Sequence, residues 1–169
     1  MKESAALEYF PGGNTPLGFY SYYSYVMEPQ HCKCCIILKG GPGTGKSTLM
    51  KRIADRLTED GYAVEYLHCS SDPDSLDAIV CRELGTWIVD GTSPHTQDPI
   101  YPGAVEEIVN LGAYWDSTKI AGYRDDIILT QAEISASFAQ AYRYLATAQK
   151  LSGELDAAYQ RSSSKKLLQ

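Results

Sequence analysis

The chain has 169 residues, 44% of them hydrophobic and 21% charged, which excludes a disordered segment and allows one ordinary domain with a core. A formal net charge of −6 and an isoelectric point near 5.0 exclude a global field that would attract nucleic acid or an anionic lipid surface. The opening MKESAALEYF lacks the apolar stretch of a secretory leader, and no window reaches the length of a membrane span, so a cytoplasmic chain with no membrane partner is expected.

Residues 7–10 are the first strand candidate, closed by Pro11, Gly12 and Gly13. Five tyrosines then fall between Tyr9 and Tyr25, and their spacing predicts a short helix over residues 17–26, ended before Pro29. These rings either pack against the sheet edge or offer a stacking surface to a base. His31-Cys32-Lys33-Cys34-Cys35 has the letters of a metal cluster but not its spacing. Cys34 and Cys35 would point to opposite faces of a strand, and no second ligand pair follows. An odd count of five cysteines in a reducing compartment predicts free thiols.

Residues 36–57 read IILKGGPGTGKSTLMKRIADRL. Cys35 to Leu38 form the apolar run of a buried parallel strand, and Leu49, Ile53 and Leu57 recur at four-residue intervals as the inner stripe of a helix. Between them, Gly40, Gly45, Lys46 and Ser47 satisfy G-x-x-x-x-G-K-[ST], the Walker A pattern. In that arrangement Gly40, Gly41, Pro42, Gly43, Thr44 and Gly45 wrap a phosphate chain with backbone N–H groups. Lys46 reaches the β and γ phosphates, Ser47 ligates magnesium and Thr48 contacts the α phosphate. The helix opening at Gly45 turns its positive end toward the anion. Strand, loop and helix together predict a nucleoside triphosphate site rather than a flexible turn.

A second strand is expected over residues 63–69, then a break at Asp72-Pro73. Asp74 or Ser75 caps a predicted helix reaching about Leu84, and Gly85 stops it. Thr86 to Asp90 reads as a third strand beyond the first candidate, giving four in all. Residues 94–103 are loop-like with three prolines, and residues 104–111 read as a short amphipathic helix. Beyond Asp116 the pattern is helical, with Ile120, Ile127, Ile134, Ala141, Ala148 and Leu155 at intervals of seven and an interruption at Ser152-Gly153. No strand is expected after residue 90. The predicted fold is α/β and P-loop NTPase-like: a small, mostly parallel sheet flanked by helices, with a helical C-terminal segment. Residues 1–115 form its nucleotide-binding core and residues 116–169 an extension packing on that core or on a partner, within one domain overall. Four strands is fewer than most such domains carry, which makes the domain either minimal or one part of a larger assembly.

Asp90, at the end of an apolar strand, fits the second magnesium anchor, the Walker B carboxylate. No glutamate follows it as a base. Asp72 and Asp74 are candidates for a base or a substrate-holding carboxylate, or else serve turn and helix capping. His95, five residues beyond Asp90, is a candidate for holding a water or sensing the γ phosphate, or else is an ordinary loop histidine. His68 fits ordinary hydrogen bonding within its strand better than catalysis. Arg82, Arg124 and Arg143 are present, but none is assignable as an arginine finger. No Asn-Lys-x-Asp guanine reader occurs, leaving ATP as the expected nucleotide by elimination.

The segments FPGGNTPLGFYSYY, LKGGPGTGKSTLMK, LHCSSDPDSLDAIV, ELGTWIVDGTSPH and DPIYPGAVEEIVNLG together resemble an uncharacterised family of bacterial P-loop ATPases, best known from Firmicutes. The likeness spans roughly residues 7–150. CSSDPDSLD and DGTSPH are its more particular parts, since the glycine-rich loop is shared by many families. Members of that family carry two similar phosphate-loop halves in tandem, and this chain resembles the first. The resemblance implies ATP binding and hydrolysis, with a second half or another copy as partner. The expectation is therefore a magnesium-dependent ATP-binding protein with ATPase activity, in which Lys46, Asp72 and His95 are catalytic candidates and Ser47 and Asp90 hold the metal. A small-molecule or nucleoside kinase, and an ATP-gated interaction module without turnover, are the alternatives. No specific nucleic-acid partner is expected.

Overall fold

The coordinates, a computed structural model, describe residues 6–26, 28–93 and 96–166. Eight strands are present among them: β1 (Leu7–Tyr9), β2 (Gly12–Thr15), β3 (Gly18–Ser21), β4 (Cys34–Lys39), β5 (Glu65–His68), β6 (Leu76–Cys81), β7 (Thr86–Asp90) and β8 (Glu106–Asn110). The helices are α1 (Lys46–Glu59), α2 (Ser117–Ala121) and α3 (Arg124–Lys166), with 3-10 turns at Tyr23–Tyr25, Pro29–His31 and Leu111–Tyr114. Six strands make one sheet in the order β1-β5-β6-β7-β4-β8, and β2 pairs with β3 alone. The architecture is thus α/β with a mixed sheet. β1/β5, β4/β7 and β4/β8 are parallel, whereas β6 runs antiparallel to both β5 and β7.

β6 is where the expected helix over residues 74–84 fails. All six residues of LDAIVC are buried, so the segment needs apolar cover on both faces, as a central strand does and an amphipathic helix does not. Its hairpin to β7 closes through residues 82–85, where Gly85 has φ 63° and its N–H donates to the Arg82 carbonyl at 3.0 Å. Gly85 is therefore a turn residue and not a helix stop. Two further helices are replaced by strands. Residues 17–26 divide between β3 and a 3-10 turn, with Gly18 at φ 108° in the hairpin bend. Residues 104–111 contain β8, a strand that the sequence reading denied beyond residue 90; it satisfies the backbone groups along the free edge of β4. Its partly exposed face and two glutamates suit an edge position. The sheet therefore has six strands where four had been expected.

The chain divides into two compact units, the first comprising the residues up to Gly13 together with Ser21–Thr118, the second Asn14–Tyr20 with Lys119–Gln169. In the first, α1 packs Met50 and Ala54 onto the sheet face formed by Leu38, Leu76, Ile79 and Ile88. The opposite face carries Ile37, Leu67, Ala78, Val80, Trp87 and Val89, covered by Tyr23 and Val26 from the segment before β4. Each fully buried aliphatic side chain contributes about 1.5–3 kcal/mol relative to exposure. The core thus clamps β4 from both sides and fixes the start of α1.

In the second unit, Tyr142 on α3 donates its hydroxyl to Asn14 Oδ1 at 2.8 Å, and the Thr15 hydroxyl donates to the Gly18 carbonyl at 2.7 Å. α3 runs unbroken for 43 residues through Ser152 and Gly153, so the expected interruption there is absent. Glycine weakens a helix by only about 1 kcal/mol, which so long a helix absorbs. No helix among the described residues is long and apolar enough to cross a membrane.

Candidate functional site

β4 lies at the point where the sheet order reverses. The chain leaves it through α1 toward β5 on one side, returns through β6 and β7, then crosses to β8 on the other. In open α/β sheets the crevice at such a reversal, outside the carboxyl ends of the strands, is where ligands bind. Residues 40–45 occupy that position. Gly40, Gly43 and Gly45 have φ of 142°, 78° and 84°, a conformation that bulkier residues rarely adopt. At Gly40 space is also closed, since a Cβ would stand 2.9 Å from Thr44 Oγ1 and 3.2 Å from the Gly112 nitrogen. The Thr44 hydroxyl donates to the Gly41 carbonyl at 2.8 Å, which tightens the bend.

α1 begins directly after Gly45, and no side chain caps it. Its first-turn N–H groups therefore present partial positive charge with no side-chain oxygen capping them. Lys46, only 8% exposed, folds back over the loop: its ammonium donates to the carbonyls of Gly40 at 2.6 Å and Gly41 at 3.0 Å. It also stands 3.5 Å from Asp90 Oδ2. Register places Asp90 beside Leu38 on β4, and its Oδ1 accepts from the Thr92 N–H at 2.9 Å and from the Thr92 hydroxyl. Lys46 and Asp90 are thus brought together around the loop. Ser47 Oγ accepts from the Leu76 N–H at 3.0 Å, so this hydroxyl is fixed in place with its proton and a second lone pair left over. A serine hydroxyl and a carboxylate are hard oxygen donors, the type that suits magnesium and not a soft metal.

The remaining described candidates hold other partners. Asp72 lies in an exposed turn, where its carboxylate takes the Ser75 hydroxyl at 2.6 Å and its carbonyl takes the Ser75 N–H at 2.9 Å. The Asp74 carbonyl accepts from Lys51 Nζ. His68 contacts the Pro73 carbonyl at 2.7 Å and Glu8 at 3.1 Å, both ordinary strand-edge partners. Arg82 clasps the Glu65 carboxylate through two nitrogens. His95 lies outside the described residues. Of the tyrosines, Tyr23 is buried, while Tyr20, Tyr22 and Tyr25 are exposed.

Two features were passed over in the sequence. Asp77 is 5% exposed and accepts the Tyr23 hydroxyl at 2.8 Å. Pairing runs Leu67 to Ala78 and then His68 to Leu76, so Asp77 is the extra residue of a bulge that re-aims it off its regular face. Burial first, and then the charge and hydrogen bond of Asp77, drive the Tyr23 phenol far above its usual range. Burial likewise pushes the Cys69 thiol up, with Asp77 adding to it. The only signal was one aspartate inside an apolar run. The second feature is Trp115, in the turn after β8: a Cβ on Gly41 would lie 2.8 Å from its Cη2 and 3.0 Å from its Cζ2.

Residues 21–101, just under half of the chain, match the family model described as Nephrocystin 3, N-terminal. That span takes in β4 to β7, the glycine-rich loop and α1. No curated protein and no solved structure matches the chain.

Proposed function

We propose that the chain is a P-loop NTPase-like domain that binds magnesium–ATP and hydrolyses it, akin to the bacterial P-loop ATPase family its motifs resemble. One observation carries this: a left-handed glycine bend feeding an uncapped helix, with Lys46 laid across the bend and facing Asp90. Backbone N–H groups of residues 43–48 would take the β and γ phosphates, and Thr48 the α phosphate. Lys46, which now donates to two carbonyls, would exchange them for phosphate oxygens, a better partner for an ammonium group. Ser47 and Asp90 would hold magnesium, which when bound neutralises charge on the phosphates. Lys46 and the loop amides would stabilise the charge that builds on the transferred group.

The test is calorimetry with magnesium–ATP on wild type and Lys46→Ala, with circular dichroism to verify folding and product analysis to detect ADP and phosphate. Loss of two charge-assisted contacts, at about 1.5–3 kcal/mol each, predicts affinity at least ~100-fold weaker. Wild-type affinity in folded Lys46→Ala would refute the phosphate site. ATP binding without product would refute hydrolysis alone.

A further inference from the structure

Resting on that reading, the geometry also supplies a seat for the other end of the nucleotide. Sheet order puts β7, with Asp90, on one side of β4 and β8 on the other. If the metal-bearing phosphates lie toward Ser47 and Asp90, the nucleoside must extend away from β7, toward the turn that follows β8. That turn is held against the loop. The Gly112 N–H donates to Asn110 Oδ1 at 2.9 Å, and the Trp115 N–H donates to the Gly112 carbonyl at 3.2 Å. The Gly112 nitrogen would be 3.2 Å from a Cβ on Gly40.

Trp115 is anchored by its ring edge on Gly41 and yet remains 44% exposed, in contrast to Trp87, buried at 4%. A rigid indole held beside the loop with nearly half its surface open is a poor core residue and a good stacking surface, since every base presents a π face to it. We propose that Trp115 is the platform on which the nucleobase of the bound triphosphate stacks. Stacking alone tolerates any base, so the platform contributes affinity for a nucleoside without choosing adenine over guanine.

The test compares magnesium–ATP with magnesium tripolyphosphate, which has the phosphates and no base, on wild type, Trp115→Ala, Trp115→Phe and Lys46→Ala. Trp115→Ala is expected to weaken ATP binding by about 5- to 150-fold, leave tripolyphosphate binding within twofold, and be largely rescued by Trp115→Phe. Unchanged ATP affinity in Trp115→Ala overturns the platform while the phosphate site stands. Equal loss of both ligands in a folded Trp115→Ala also overturns it, showing that the ring props the loop instead. Should wild type bind neither ligand, or Lys46→Ala bind both normally, the phosphate site itself fails, and the platform with it.

Discussion

Replacing Gly41 by alanine sets two opposing effects against each other. Gly41 does not carry a positive φ, so alanine meets no backbone strain there. At such positions Gly→Ala stabilises by about 0.4–1 kcal/mol, because the unfolded chain loses freedom. Against this, the new Cβ would lie 2.8 Å and 3.0 Å from two ring atoms of Trp115, and no other atom stands within 4 Å beyond the chain neighbours. The ring cannot yield by rotating one terminal bond, so overpacking of about 1–3 kcal/mol is expected. Clash exceeds entropy, and Gly41→Ala should destabilise the nucleotide-free protein by roughly 0.5–2 kcal/mol. In a Trp115→Ala background the obstacle is gone, and the same substitution should become stabilising by about 0.4–1 kcal/mol. Urea unfolding followed by circular dichroism on the four proteins gives both signs, with a coupling energy of about 1–3 kcal/mol. The same sign in both backgrounds would refute the contact, whatever the chain binds.

Other perturbations follow from other contacts. A Cβ on Gly91 would collide with Ile37 Cγ2 and stand 3.1 Å from the Gln97 carbonyl; Gly91→Ala should cost about 2–3 kcal/mol in urea unfolding, and a neutral result would contradict the close approach of Gly91 to Ile37 on β4. Tyr23→Phe removes a donor from the buried Asp77 carboxylate and should lower stability by about 2 kcal/mol; an unchanged melting temperature would count against that bond. Tyr9, partly buried and donating to Glu65 at 2.9 Å, has its phenol pushed up from 10.0 to about 12 by burial first and Glu65 second. A folded-state value above the unfolded one means its stabilisation is complete below pH 10 and lost between 10 and 12. Tyr9→Phe should therefore flatten the fall of the urea midpoint in that window, and an unaltered slope would exclude the role.

What the sequence made legible was local. β4, the glycine bend and α1 are consecutive, and each carries its own signal: an apolar run, fixed glycine spacing and a four-residue stripe. β5 and β7 were legible for the same reason. The misread segments depend on distant neighbours. LDAIVC is six residues of ambiguous period, and only its position between β5 and β7 makes it a strand. EEIVN is a strand because β4 offers an unpaired edge, a fact absent from its own composition. The bulge that turns Asp77 toward Tyr23 arises from a register shift against His68, and the approach of Trp115 to Gly41 joins residues more than 70 positions apart. Neither leaves a periodic trace. The glycine bend and the helix after it could be read because spacing encodes them; their surroundings could not, because tertiary packing creates them.

The bond from the Leu76 amide to the Ser47 hydroxyl has a consequence for how tightly a cation could be held. A serine side chain in open solvent samples three rotamers and must be caught in the right one. Here β6 has locked that choice during folding, so an arriving ion meets an oxygen whose direction is already decided. If Ser47 is the ligand proposed, holding the ion forfeits little side-chain entropy, and replacing Ser47 by threonine, which keeps the hydroxyl, should leave magnesium–ATP affinity within about fivefold.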